Sequence, residues 1–74
     1  MSVKAVLEDV ERDGEVLLLT DGRRLKVPNA EDATMASIWL PPARLTLRPG
    51  KRGAPNLSVT NEETGETVSA RADA

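Results

Sequence analysis

Residues 15–27 read Glu15-Val16-Leu17-Leu18-Leu19-Thr20-Asp21-Gly22-Arg23-Arg24-Leu25-Lys26-Val27, two β-type runs around an Asp-Gly pair. This is the strongest short-range hairpin signal, because a type I′ turn needs positive φ at both central residues. A two-residue loop sets Thr20 opposite Arg23, Leu18 opposite Leu25 and Val16 opposite Val27. Directly opposed residues share a face, so Val16, Leu18, Leu25 and Val27 are expected to form one apolar surface. Leu17 and Leu19, opposite Lys26 and Arg24, are then expected on the outer face. The other elements must pack around this hairpin.

A chain of 74 residues has room for one domain. At this size folding buries only about 60% of the unfolded surface, so the core is thin. Its expected members are Val3, Val6, Leu7, Val10, Val16, Leu18, Leu25, Val27, Met35, Ile38, Trp39, Leu45, Leu47, Leu57, Val59 and Val68. Such a core leaves only ~3–5 kcal/mol of net stability, which favours oligomerisation.

Cysteine and histidine are both absent. Disulfides, thiolate or imidazole metal sites, and Ser-His-Asp or Cys-His catalysis are therefore excluded. No nucleophile–base pair or phosphate-cradling glycine motif occurs, so the chain is read as no enzyme, with no cofactor and no catalytic or metal site. Asp9, Glu11, Asp13 and Glu15 imitate the alternating oxygens of a calcium loop. Position twelve of that loop is Thr20 instead of a bidentate Glu, and the flanks are β-type. A solvated hairpin tip is the expected role. No apolar run reaches the ~18 residues of a membrane span and the start lacks a signal peptide, so a cytoplasmic, membrane-free protein is expected.

Residues 3–12 predict a first strand whose apolar residues change parity, Val3, Ala5 and Leu7 against Val6 and Val10, as a bulge or bend produces. Asp13-Gly14 makes a second Asp-Gly turn. A two-residue loop there pairs Val10 with Leu17, and a longer one pairs Val10 with Val16; the first is preferred, with the bulge further back. Asn29 is a good N-cap, followed by Asp32 and by Met35, Ile38 and Trp39 at i, i+3, i+4, so a short helix is expected to end near Leu40, before Pro41. Ala43-Arg44-Leu45-Thr46-Leu47-Arg48 alternates, with the alanine and leucines inward and Arg44, Thr46 and Arg48 in water. Residues 49–55 form a basic Pro/Gly loop. Residues 57–60 and 66–70 then make a hairpin closed by Gly65 in the left-handed conformation. No crossover helix is long enough for parallel strands.

The fold expected is all-β: a small antiparallel five- or six-stranded barrel, with one short helix between strands three and four. It spans residues 1–70, with 71–74 a frayed tail. In element order and strand length, residues 3–70 resemble the SH3-like and Sm-like barrels. The stretch from Trp39 through Leu57-Ser58-Val59-Thr60-Asn61 to Thr64-Gly65-Glu66-Thr67-Val68 resembles small uncharacterised bacterial proteins, a likeness that carries no activity across.

The net charge of −2 is uneven: residues 1–22 carry six acids and two bases, 23–52 seven bases and two acids, and 53–74 four acids and one base. Two functional readings follow. The first is a non-enzymatic protein-interaction or self-assembly module whose interface is Leu17, Leu19, Arg24, Lys26 and Trp39, Trp39 serving otherwise as core filler. The second is an Sm-like anion- or nucleic-acid-binding barrel using Arg44, Arg48, Lys51 and Arg52. Nucleic acid is the less favoured partner, since no Phe or Tyr is present to stack on bases and the overall charge is acidic.

Overall fold

The computed structural model describes residues 2–50 and 56–72. Six strands, β1 (Val3–Glu11), β2 (Val16–Leu19), β3 (Arg24–Lys26), β4 (Ala43–Pro49), β5 (Asn56–Asn61) and β6 (Thr67–Ala72), and one helix, α1 (Ala30–Ala36), follow the expected order. Neighbouring strands are antiparallel and close a barrel in the order β1-β2-β3-β6-β5-β4. Closure hides the strand edges that an open sheet would present to other chains.

The first hairpin has the preferred register, with Val10 opposite Leu17, Asp9 opposite Leu18 and Glu11 opposite Val16. The register slips between Leu7 and Asp9, and Leu7 then lies opposite Leu19. This bulge lets Leu7 and Val10 both face the core across an odd, three-residue spacing that ordinary pleating forbids. The turn is type I′, with Asp13 at φ 55°, ψ 40° and Gly14 at φ 93°.

The second hairpin departs from expectation. Leu17 lies opposite Leu25, Leu18 opposite Arg24 and Val16 opposite Lys26. The loop has three residues: Gly22 N donates to Leu19 O at 3.0 Å, and Leu19 N to Arg23 O at 2.9 Å. Only Gly22 takes positive φ, giving a type I turn with a left-handed glycine bulge. The Asp21 carboxylate accepts from Arg23 N at 2.9 Å and from Arg23 Nε at 2.7 Å. A one-residue slip exchanges the faces of a strand. Leu17 and Leu19 therefore point inward, 0% and 1% exposed, and their expected place on the outer face is corrected. The physical reason is that this register buries two leucines beside Leu7, Leu25 and Val27, where the alternative buries one leucine and a valine.

α1 forms where expected, its N-cap Asn29 Oδ1 accepting from Glu31 N at 2.9 Å and Asp32 N at 3.2 Å. The helix packs on β6 and on the 12–14 turn, and Asp32 Oδ2 accepts from Ser69 N at 3.0 Å. Helical geometry stops at Ala36, so the spacing that grouped Ile38 with Met35 and Trp39 no longer holds; Ile38 lies outside and Trp39 inside. In β4, Ala43, Leu45 and Leu47 face inward as expected. Val3 is exposed instead of core, Val6 and Leu18 are half-buried outside the core cluster, and β6 continues to Ala72, past the expected start of a frayed tail. Lys51, Arg52 and the loop around them lie outside the described residues.

Gly14 is a point of close approach between the barrel and α1. A Cβ there would collide with the Ala33 carbonyl and come within 2.8 Å of Ser37 N, whereas a Cβ at Gly22 would meet nothing within 4 Å. Both have φ of 93°, so alanine pays the left-handed penalty of about 1–2 kcal/mol at either. In urea denaturation Gly22→Ala is expected to lose about that much, and Gly14→Ala about 3 kcal/mol or more, since helix or turn must also move. Equal losses would show that α1 does not seat on Gly14.

Candidate functional site

The corrected register rewrites the outer surface of the meander. One row of cross-strand neighbours runs Glu11, Val16, Lys26, Arg71, Asn56, and the next runs Asp9, Leu18, Arg24. Arg24, Lys26 and Arg71 are exposed, and Arg24 Nη2 lies 3.4 Å from Glu11 Oε1. Of the five expected interface residues, Arg24 and Lys26 are therefore on the surface, while Leu17, Leu19 and Trp39 are in the core. Interface roles for the buried three are corrected: a side chain sealed inside the barrel offers a partner no area. Trp39 fills the core instead, its Nε1 donating to Glu66 Oε1 at 2.8 Å so that the indole N–H is not left unpaired.

Of the four expected anion-binding residues, Lys51 and Arg52 lie outside the described residues, and the two described ones, Arg44 and Arg48, both sit on β4. Arg44 Nε lies 3.1 Å from Glu63 Oε2. Arg48 is exposed two pleats away, beside Arg23, Val3 and Leu57. Thr46, between Arg44 and Arg48 and expected in water, is buried. It is covered because Lys4 Nζ donates to its hydroxyl at 3.0 Å and the hydroxyl donates to Glu62 Oε2 at 2.8 Å. Lys4 Nζ reaches the same carboxylate oxygen at 2.8 Å, which joins β1, β4 and the β5–β6 turn. Hydrogen bonds from Lys4 and then Thr46 hold the Glu62 carboxyl below the ordinary glutamate range.

Arg71 was missed because it was assigned to a fraying tail. The signal was present: Thr67, Ser69 and Arg71 alternate with Val68, Ala70 and Ala72, a strand pattern running two residues further. Lys26 and Arg71 line a cleft of about 550 Å³ between the β3–β6 seam, α1 and the first turn, whose other side carries Asp13 and Glu15. The helical spacing discussed above places Ile38 in the core, and Leu40 is read from the sequence only as the end of the helix. They are 70% and 83% exposed, on either side of buried Trp39. Among the described residues no cluster of three or more acidic side chains could hold a metal ion, and no helix is long and apolar enough to cross a membrane.

The Lys4–Thr46–Glu62 network makes a pH-dependent contribution of determined sign. A carboxylate with its folded pKa lowered stabilises the fold above its unfolded value, and the contribution is lost as pH falls through the folded value. Glu62→Gln is therefore expected to lower the urea midpoint at pH 7, with the gap to the parent narrowing as pH drops through and below the carboxylate range. A gap that stays constant with pH would mean that the carboxylate charge contributes nothing.

Comparison with protein families, with curated proteins and with solved structures finds no match.

Proposed function

We propose that the chain is a non-catalytic self-assembly module whose copies meet through the segment carrying Ile38 and Leu40. The observation that carries this reading is the exposure of two large aliphatic side chains, 70% and 83%, on one short connection. Trp39 between them is buried and hydrogen-bonded to Glu66, so the segment is anchored before any contact forms. Preorganisation of this kind lowers the ordering cost of association. A second copy supplies a matching apolar surface by two-fold symmetry, and a net charge of only −2 opposes the approach weakly. The thin core of so small a chain adds a reason for association. The nucleic-acid reading draws less support, since Arg44 is engaged by Glu63 and the one aromatic side chain is in the core.

Sedimentation equilibrium tests the proposal. The parent chain is expected to show a mass rising with concentration up to about 1 mM, where even a contact of about −4 kcal/mol registers. Ile38→Ser with Leu40→Ser is expected to stay monomeric with unchanged Trp39 fluorescence. A monomeric parent, or association undiminished in the double variant, would overturn it.

A further inference from the structure

We infer that the seam between β3 and β6 binds the phosphate group of a small phosphomonoester between Lys26 and Arg71, and that the bound anion reinforces closure of the barrel. Among the described residues this seam is the shortest ladder, with two registered pairs, Leu25 with Ala72 and Lys26 with Arg71. One of those two pairs sets cation directly against cation, an arrangement that destabilises neighbouring strands. Neither side chain has a carboxylate within ion-pair distance among the described residues, and both are exposed. No ion pair among the described residues offsets their repulsion, at the place where those residues give the barrel least backbone pairing.

The cleft that both residues line gives an anion room, about 550 Å³. A guanidinium fork beside an ammonium offers two positive charges and several donors to the oxygens of one dianionic phosphate. At pH 7.5 a phosphomonoester carries close to two negative charges, which the pair matches. Asp13 and Glu15 line the same cleft from the first turn and have no side-chain ion pair among the described residues. They oppose a long polyanion and suit a ligand that places an ammonium group away from its phosphate. The class selected is a small phosphomonoester with a cationic end, and not a nucleic-acid backbone.

Thermal unfolding and amide NMR titrations at constant ionic strength test this, with chloride as the reference anion, inorganic phosphate and phosphoethanolamine as probes, and a short oligothymidylate as the polyanion. Phosphate is expected to raise the melting temperature and to give saturable shifts centred on Lys26 and Arg71, with phosphoethanolamine binding more tightly and the oligonucleotide giving no such response. Lys26→Gln with Arg71→Gln is expected to melt higher than the parent in chloride, through loss of the repulsion, and to weaken phosphate binding by about tenfold or more. Lys26→Arg keeps the response. Asp13→Asn with Glu15→Gln strengthens inorganic phosphate binding and removes the advantage of phosphoethanolamine. Shifts spread equally over Arg44 and Arg48, a glutamine double variant that still responds to phosphate, or one that melts lower than the parent in chloride would each overturn the proposal.

Discussion

Everything outside the barrel wall follows from which leucines are inside it. Leu17 and Leu19 on β2 meet Leu7, Leu25 and Val27 in the core, and a one-residue change in the β2–β3 register would exchange them for Val16 and Leu18. The three-residue turn at Thr20-Asp21-Gly22 holds that register, with the left-handed Gly22 as its bulge and the Asp21 carboxylate clamped on Arg23. Because strand faces alternate, the same turn puts Val16, Leu18, Arg24 and Lys26 on the other face, where Val16 is buried apart from the core cluster, Leu18 is half-buried and the two cations are exposed. Two consequences are inseparable: the barrel fills its centre with branched aliphatic side chains, and its cations are left on the surface beside Arg71.

A core with one aromatic residue has little volume to spare, and the structure uses its few large or polar groups at the ends. Trp39 enters from the connection after α1 and finds Glu66 for its N–H. Gly14 brings the first turn against Ala33 and Ser37, so α1 sits directly on the barrel. Among the described residues Asn61 and Thr46 are the buried polar side chains, and both are satisfied, Asn61 by Glu63 N and Thr46 by Lys4 and Glu62. Each buried polar group without a partner would cost about 1–3 kcal/mol, a large share of the ~3–5 kcal/mol that so thin a core supplies.

The element order, the helix with its Asn29 cap, the inward residues of β4, the left-handed Gly65 and the parity change in β1 were legible, because each rests on local chemistry that tertiary packing did not contest. The register of the second hairpin was not. Asp-Gly occurs twice here and makes a type I′ turn at Asp13-Gly14 but a type I turn with a bulge at Asp21-Gly22, since the dipeptide satisfies both and burial across the sheet decides. That single ambiguity moved Leu17 and Leu19 from core to surface in the sequence reading. Thr46 was misplaced for a different reason: a polar residue on an outward face can still be roofed by a lysine and a glutamate 42 and 16 residues away in sequence. The candidate site was legible only as to Arg24 and Lys26; Arg71 needed the pattern in β6 to be followed to its end.

The surface that results joins two kinds of feature, an anchored apolar segment at Ile38 and Leu40 and a cationic seam at Lys26 and Arg71. The seam depends wholly on the β2–β3 register, so that register is the claim to measure first. Non-hydrogen-bonded antiparallel pairs bring their Cα atoms to about 4.5 Å, close enough for strong Hα–Hα cross-peaks. An NMR NOE spectrum is expected to show Hα–Hα contacts between Leu18 and Arg24 and between Val16 and Lys26. Contacts between Leu19 and Arg24 and between Leu17 and Lys26 would contradict the account, because they belong to the two-residue turn that turns both leucines outward.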